Sequence, residues 1–244
     1  MSELRGAVLW DLDGTLVDSE EHHWRAWKET LDREGISITH QDFLASFGQR
    51  NDAILSKWLG KGAEPGSIER IGEAKEIRYR ELVRSEGLSP LPGAAEWVER
   101  LHDQGWLQAI ASSAPRLNVD AVLEALRLGG WFQACVSAED VHAGKPDPQV
   151  FLVAASRLGA EPQGCIVVED ARAGIEAARR AGMRSIGVGR HAQSLGADLS
   201  TARLSDLPAD AFSSMIGTRQ AVPSGPKVTS TASASRRFQP SKYC

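Results

Sequence analysis

Carboxylates, hydroxyls and one lysine occur at four points of this chain where their side chains could act together. They are the sequence Asp-Leu-Asp-Gly-Thr at residues 11–15, the pair Ser112 and Ser113, Lys145, and the acidic pair at residues 169–170. Converging carboxylates repel one another and have raised pKa values unless a cation lies among them. Ligands that are all oxygen favour a hard ion, and Mg²⁺ is the usual one beside phosphate. We therefore predict Mg²⁺ as the cofactor.

Three of these four points directly follow an apolar run of the kind that forms a buried strand. The runs are residues 7–10, 107–111 and 165–168, and further strand-like runs lie at 132–136 and 185–188. Helical patterns separate them near 94–104, 117–128, 148–158 and 172–181. This alternation predicts a parallel sheet with helices on both faces. Right-handed crossovers place all the strand carboxyl ends at one edge, where open α/β folds bind ligands.

A long helical stretch interrupts this alternation directly after the first strand. Residues from about 20 to 87 show helical spacing, and glycines and a Pro-Gly pair divide them into about four helices. We therefore predict an α/β fold with a Rossmann-like parallel sheet core and an inserted all-helical cap domain. The predicted boundaries are 1–18 and 89–216 for the core, 19–88 for the cap and 217–244 for a tail.

The composition indicates an ordinary globular protein and excludes several classes of partner. Of 244 residues, 42% are hydrophobic and 25% are charged, with a net charge of −4. No apolar run reaches the ~18–20 residues needed to span a membrane, and no secretory signal is visible. Residues 217–244 hold five basic and no acidic side chains, so the remainder carries −9. We predict a disordered basic tail, a cytoplasmic monomer, no membrane contact and no nucleic-acid partner. Cys135 and Cys165 lie in apolar runs and are predicted to be buried free thiols.

The four motifs, in this order, resemble those of the haloacid dehalogenase superfamily, in its small-molecule phosphatase and beta-phosphoglucomutase-like branch. Residues 11–15 match the first motif, Ser112 the second, Lys145 within Gly-Lys-Pro-Asp-Pro the third, and Glu169 with Asp170 the fourth. The resemblance covers residues 5 to about 205. It implies a hydrolase of phosphoric monoesters that acts on small phosphorylated metabolites, with sugar phosphates as the expected substrates.

The resemblance also implies a role for each motif residue. Asp11 would be the nucleophile that forms an aspartyl-phosphate, and Asp13 the general acid and base. Mg²⁺ would be bound by Asp11, the backbone carbonyl of Asp13 and Asp170, with Glu169 binding it directly or lying just behind. The catalytic Lys145 would neutralise phosphate charge. The remaining residues that would contact the phosphate are Ser112, Gly14, Thr15 and Ser113.

The helical insertion resembles the mobile cap of that family, which closes over the site and contacts the substrate. The implied hinges are Ser19 and the segment near residues 89–90, and the implied substrate-binding residues of the cap are His23, Trp27, Arg50 and Lys75. Considered without the resemblance, two of these residues can have a purely structural role instead. His23 can be a packed helix residue, and Trp27 can belong to the core of the cap.

Departures from the beta-phosphoglucomutase pattern separate the two leading functions. Lys75 and Tyr79 match that pattern, whereas Phe47 stands where the mutase has a cap lysine. Ala171 replaces a serine, and residues 115–116 alter the loop after Ser112. Since a mutase must hold a second phosphate, these changes favour a phosphatase. A phosphosugar mutase is the alternative, and a catalytically silent binding module is a third hypothesis.

Overall fold

Six parallel strands form the single sheet in this computed structural model, which describes residues 6–46, 49–60, 64 and 66–216. Phe47 and the basic tail lie outside the described residues. The strand order is β3-β2-β1-β4-β5-β6, and every neighbouring pair is parallel. The strands are β1 (Ala7–Trp10), β2 (Leu107–Ala111), β3 (Ala134–Val136), β4 (Cys165–Glu169), β5 (Arg184–Val188) and β6 (Leu199–Thr201).

Helices fall into two groups along the chain. Of the five described helices between β1 and β2, the first four form the inserted cap, namely α1 (Glu20–Arg33), α2 (His40–Leu44), α3 (Asn51–Leu59) and α4 (Ser67–Glu86). The others belong to the core and are α5 (Ala94–Asp103), α6 (Arg116–Leu126), α7 (Gln149–Leu158), α8 (Arg172–Arg180) and α9 (Ala211–Met215). The predicted α/β fold with a helical insertion is confirmed.

Helices cover both faces of the sheet, as the continuous apolar strands predicted. Successive side chains of a strand point to opposite faces. In β1, Val8 and Trp10 pack with residues of α5, α6 and α9. Ala7 and Leu9 pack on the other face with residues of α7 and α8. The first strand is therefore buried on both sides, which fixes the position of the residues that follow it.

The cap has an apolar core of its own, in which α1 and α4 pack against each other. Its buried members are Trp27, Leu31, Phe43, Ile54, Leu55 and Ile71. The two segments that join the cap to the core run side by side. Val17 and Pro90 form an antiparallel bridge, and the Leu91 N–H donates to the Leu16 carbonyl at 2.9 Å. The two chain connections between cap and core thus lie side by side, while the boundaries at 18/19 and 88/89 stay predictions.

Some local details differ from the sequence-based expectations. β6 and α9 were not predicted, because the residues of β6 are half-buried and form no apolar run. Cys165 is a buried free thiol, whereas Cys135 is disulfide-bonded, so the free-thiol prediction is wrong for Cys135. Its apolar strand carries no signal of such a bond. Among the described helices, none has the length and apolar character that crossing a bilayer requires. The monomeric state and the compartment stay predictions.

Candidate active site

The carboxyl ends of three adjacent strands bring polar residues to one edge of the sheet. The Asp11 N–H donates to the Val168 carbonyl at 3.0 Å, so Asp11 continues the pairing of β1 with β4. Glu169 is the last residue of β4, and Asp170 follows it. Ser112 follows β2, and its N–H donates to the Val136 carbonyl at 3.0 Å. The backbone of the sheet therefore positions four of the chemically active residues before any loop contributes.

Lys145 joins this group from the loop that precedes α7. Its ammonium donates to Asp11 Oδ1 at 2.5 Å and to Glu169 Oε2 at 2.7 Å, and all three side chains are buried. One carboxylate oxygen from each of Asp11, Glu169 and Asp170 lies within 4.8 Å of the others. Three acids and one lysine thus share a small volume, in which the negative charges outnumber the positive one.

The charges in this cluster determine the protonation of its members. Burial raises the pKa of Asp11 to about 7, and the negative charge of Glu169 adds to that rise while Lys145 opposes it. Burial and the charges of Glu169 and Asp11 raise the pKa of Asp170 well above its ordinary value. Burial lowers the pKa of Lys145, but the two carboxylates beside it outweigh burial and raise that pKa. Lys145 therefore stays positively charged, while Asp11 and Asp170 bind protons more readily than ordinary carboxylates do.

The cluster fits a divalent cation. Its donors are three carboxylates, and hard cations such as Mg²⁺ prefer oxygen ligands of this kind. Burial and the repulsion between these acids both raise the pKa values of Asp11 and Asp170, and a bound cation would offset both effects. The acidic triad is therefore suited to hold a metal ion.

Two glycines leave the space that these acids occupy. Gly14 has a φ of +81°, and a Cβ added there would overlap the Asp170 carboxylate. Gly174 lies in α8, and a Cβ added there would overlap the carboxylate of Glu169. Larger residues at either position would displace an acid, so both glycines help to set the geometry of the cluster.

Asp13 lies beside the cluster but has different neighbours. Its Oδ1 accepts from the Ser19 hydroxyl at 2.5 Å, lies 3.3 Å from His23 Nε2 and accepts from the Tyr79 hydroxyl at 3.5 Å. The Lys75 ammonium lies 2.9 Å from His23 Nδ1. Because an ammonium can only donate, Nδ1 accepts and Nε2 carries the proton toward Asp13. Side chains of α1 and α4 thus reach the second aspartate of the motif.

This network sets the protonation of both Asp13 and His23. Burial alone would raise the pKa of Asp13, but His23 and the hydrogen bond from Ser19 hold it below its ordinary value. Burial and the nearby charge of Lys75 lower the pKa of His23. Asp13 in this arrangement is a carboxylate, and His23 is a neutral donor to it.

A cavity of about 690 Å³ lies between the cap and this edge of the sheet. The structure brings most of the sequence-predicted site residues to its walls. From the core these are Asp11, Asp13, Ser112, Ser113, Lys145, Glu169 and Asp170, and from the cap His23, Trp27, Arg50 and Lys75. Thr15 is fully buried, and its hydroxyl has no hydrogen-bond partner in the described part of the chain. Its expected contact with phosphate therefore has no geometric support here, and Gly14 contributes through the space it leaves for Asp170.

Trp27 has both of the roles that the sequence left open. It is buried in the apolar core of the cap, where its ring meets that of Trp58 edge to face. It also lines the cavity, and the Lys75 ammonium lies 5.1 Å from its ring centre. The tryptophan therefore belongs to the cap core and supports Lys75 at the cavity wall.

Sequence reasoning named Ser19 only as a hinge and missed the contacts of several polar residues at this site. Ser19 precedes α1 in the position of a helix cap, but its hydroxyl donates to Asp13 instead of capping the helix. Glu76 is only 6% exposed and accepts from Lys75 at 2.9 Å, Asn51 at 2.6 Å and Asn118. The one signal in the sequence that could have identified Glu76 was its position next to Lys75, which is predicted to bind substrate.

Comparisons with known proteins agree with this geometry. The sequence profile described as "Haloacid dehalogenase-like hydrolase" matches residues 8–188. Beta-phosphoglucomutase of Bacillus subtilis is 34% identical over 209 residues, which is 82% of this chain and 91% of that protein. Protein CbbY of Rhodobacter capsulatus is 34% identical over 74% of this chain and 83% of its own length. Hexitol phosphatase B of Escherichia coli K12 is 34% identical over 74% of this chain and 82% of its own length.

Solved structures show the same arrangement of core and cap. Beta-phosphoglucomutase from Clostridium difficile superposes with a TM-score of 0.79 at 26% identity, covering 88% of this chain and 97% of that one. A CbbY mutant from Rhodobacter sphaeroides in complex with xylulose-1,5-bisphosphate superposes with a TM-score of 0.76 at 27% identity, covering 84% and 96%. Among these relatives, one is named as a phosphatase and two are named as beta-phosphoglucomutases. This chain belongs to the haloacid dehalogenase-like hydrolases, among the beta-phosphoglucomutase- and CbbY-like members that carry a helical cap.

Proposed function

We propose that this protein is a Mg²⁺-dependent phosphatase that hydrolyses small phosphorylated metabolites, sugar phosphates above all, through an aspartyl-phosphate on Asp11. The observation that carries the proposal is the position of Asp11 in the wall of the cavity, hydrogen-bonded to Lys145, with Asp13 two residues further on. A cavity of about 690 Å³ suits a phosphorylated sugar or polyol. The relative solved with xylulose-1,5-bisphosphate supports that substrate class.

In the first step, a carboxylate oxygen of Asp11 attacks phosphorus as the bond to the ester oxygen breaks. Asp13 is a carboxylate in this structure, so it must first take a proton from the monoanionic form of the substrate phosphate or from water. It then donates that proton to the departing oxygen, and an alcohol leaves. Lys145, held beside Asp11, offsets the repulsion between the attacking carboxylate and the phosphate. The covalent intermediate divides one difficult displacement into two easier ones.

In the second step, water attacks the phosphorus of the aspartyl-phosphate and the bond to Asp11 breaks. Asp13, now a carboxylate, takes the proton from the water. The donors that hold the pKa of Asp13 low, which are His23 and Ser19, favour this proton-accepting form. Because His23 and Tyr79 belong to the cap, the cap helps to orient the acid–base group.

The acidic triad would hold the metal ion at the point where the phosphate must bind. Asp11, Glu169 and Asp170 would be its carboxylate ligands, and the carbonyl of Asp13 a further one. A bound Mg²⁺ would neutralise phosphate charge and fix the orientation of the phosphoryl oxygens.

Hydrolysis is favoured over mutase chemistry by the loop after Ser112. Arg116 is the first residue of α6, directly after this loop, and its guanidinium donates to Asp140 at 2.9 Å and to the Cys135 carbonyl at 2.8 Å. It is therefore turned away from the cavity and does not hold a second phosphate. The contact of His23 with Asp13, and that of Lys75 with His23, keep the mutase as the second candidate, since one relative is a beta-phosphoglucomutase.

Product analysis distinguishes these possibilities. We expect the protein with Mg²⁺ to release inorganic phosphate from members of a panel of sugar and polyol phosphates, and Asp11→Asn to release none. Formation of glucose 6-phosphate from beta-glucose 1-phosphate, stimulated by the bisphosphate, would establish the mutase instead. Turnover that persists in Asp11→Asn would refute the nucleophilic role. Binding of a partner without Mg²⁺, and without any turnover, would indicate a silent binding module.

A further inference from the structure

The cap places a buried carboxylate in the cavity wall, away from the triad. Glu76 is held by donors from three helices, namely Asn51 of α3, Lys75 of α4 and Asn118 of α6. These donors outweigh the effect of burial and keep the pKa of Glu76 below its ordinary value. Glu76 is therefore an ionised carboxylate in the cavity wall, paired with Lys75, and three of its roughly four acceptor positions are occupied.

The cap cations that line the described part of the cavity already have partners. Lys75, which is 2% exposed, donates to Glu76 and contacts His23, both at 2.9 Å. Arg80 donates to Asn118 Oδ1 at 2.9 Å. Arg50 reaches across to the core and donates to the Ala138 carbonyl at 3.3 Å. A second anionic group on the substrate would have to compete with these partners for each cation.

The start of α6 is also closed to an anion. Helix N-termini commonly bind anions because their N–H groups are unpaired. Here Pro115 has no N–H, and the Arg116 N–H donates to both carboxylate oxygens of Glu139, at 3.1 and 2.9 Å. The carboxylate of Glu139 thus occupies the position that a second phosphate could otherwise take.

Further acids line the cap side of the cavity. They are Asp52, Glu69 and Glu73. Together with Glu76, these acids outnumber the three cap cations Arg50, Lys75 and Arg80 on the described walls. The potential in this part of the cavity is therefore unfavourable for an anion, whereas carboxylate oxygens are good acceptors for hydroxyl groups.

We propose that Glu76 is a specificity-determining residue that selects phosphomonoesters whose organic part carries hydroxyl groups and no second anionic group. A substrate hydroxyl donates to the Glu76 carboxylate, whereas a second phosphate or carboxylate is repelled by the acids of this wall. Such an anion would also have to displace the partners of the cap cations in the described part of the chain. This inference rests on the proposed function, because it requires the transferred phosphate to lie at Asp11. The substrate class proposed for this protein differs from the ligand of the CbbY structure, which is a bisphosphate.

The test compares sorbitol 6-phosphate with 6-phosphogluconate, which differ at the end far from the phosphate by a hydroxymethyl group against a carboxylate. We expect wild-type kcat/KM to favour sorbitol 6-phosphate by about tenfold or more. Glu76→Gln keeps the size of the side chain and removes its charge, and it should reduce that preference by about fivefold or more. Because the preference is a ratio, losses that affect both substrates through Lys75 cancel. Glu81→Gln is the matched control, since Glu81 is exposed on the same helix and pairs with Arg78.

Each outcome decides the proposal. A wild-type ratio near one, or an unchanged ratio in a folded and active Glu76→Gln, overturns it. If circular dichroism shows that Glu76→Gln does not fold, Glu76→Asn is measured in its place. The wild-type ratio still has to favour sorbitol 6-phosphate, which lacks the carboxylate. Wild-type enzyme that hydrolyses neither substrate nor p-nitrophenyl phosphate with Mg²⁺ refutes the proposed function, and this inference falls with it. Turnover without the predicted preference refutes this inference alone.

Discussion

Gly174→Ala tests whether the packing around Glu169 sets the geometry of the acidic cluster. Gly174 lies within α8, where alanine normally stabilises a helix by about 1 kcal/mol relative to glycine. In this protein the added methyl group would overlap the Glu169 carboxylate and its Cγ. Glu169 is buried and cannot turn into solvent, so it must shift among its neighbours.

The expected cost follows from the contacts that Glu169 makes. Overpacking a buried site costs about 1–3 kcal/mol. The shift also weakens the hydrogen bond from Lys145 at 2.7 Å and that from the Ala171 N–H at 3.1 Å. These losses exceed the gain in helix propensity, so we expect a net destabilisation of about 1–3 kcal/mol. Displacement of a cluster member by about 1 Å should reduce kcat/KM on the order of 100-fold.

Urea unfolding and steady-state kinetics at saturating Mg²⁺ measure the two effects. Gly72→Ala is the matched control, because Gly72 lies in α4 and a Cβ there meets Leu55 at 3.6 Å, an ordinary contact. We expect this control to gain up to about 1 kcal/mol of stability. Gly174→Ala that is as stable as Gly72→Ala, with wild-type turnover, would refute the packing argument.

Three further predictions concern charge. Lys145→Met should lower kcat on the order of 100-fold or more, measured by phosphate release, because Asp11 loses the cation that offsets phosphate repulsion; a loss under threefold would contradict this role. Added Mg²⁺ should raise the melting temperature of the metal-free protein, since the ion relieves repulsion in the acidic triad. At an Mg²⁺ concentration of 100 times its Kd, the free energy of unfolding should increase by about 2.7 kcal/mol. Asp170→Asn should lose most of that rise, and an equal rise in the variant would exclude the triad as the site. Asp140→Asn should cost roughly 1–2 kcal/mol in urea unfolding at pH 7, because Arg157 and Ser137 outweigh burial and hold the pKa of Asp140 below its ordinary value. A carboxylate whose folded pKa is depressed stabilises the protein fully above its unfolded pKa of about 4 and loses that effect as pH falls toward the folded pKa. The difference between variant and wild type should therefore shrink steadily below about pH 4. A difference in unfolding free energy between Asp140→Asn and wild type that stays constant with pH would contradict this prediction.

The sheet and its active edge were accessible from sequence because they follow from local rules. Apolar runs between helical patterns predict parallel strands, and crossover handedness brings the strand ends together. Asp11, Ser112 and Glu169 could therefore be assigned to one edge. β6 escaped because a short strand at the edge of a sheet needs no continuous apolar run.

The contacts of the cap could not be derived in the same way. They depend on how α1 and α4 are rotated over the core, which no local pattern specifies. Ser19 illustrates this point, because its sequence position predicts a helix cap while its hydroxyl donates to Asp13. Glu76 and Asn118 are 42 positions apart and meet only after the cap packs on the core. The specificity determinant that we propose therefore lies where sequence patterns are least informative.

The covalent step at Asp11 is the central claim, and stereochemistry at phosphorus tests it most directly. The substrate would be a thiophosphate monoester made chiral with oxygen isotopes and hydrolysed in isotopically distinct water. Two successive in-line displacements each invert the configuration, so transfer through Asp11 predicts overall retention. Overall inversion would show that water attacks the substrate directly, and it would contradict the account.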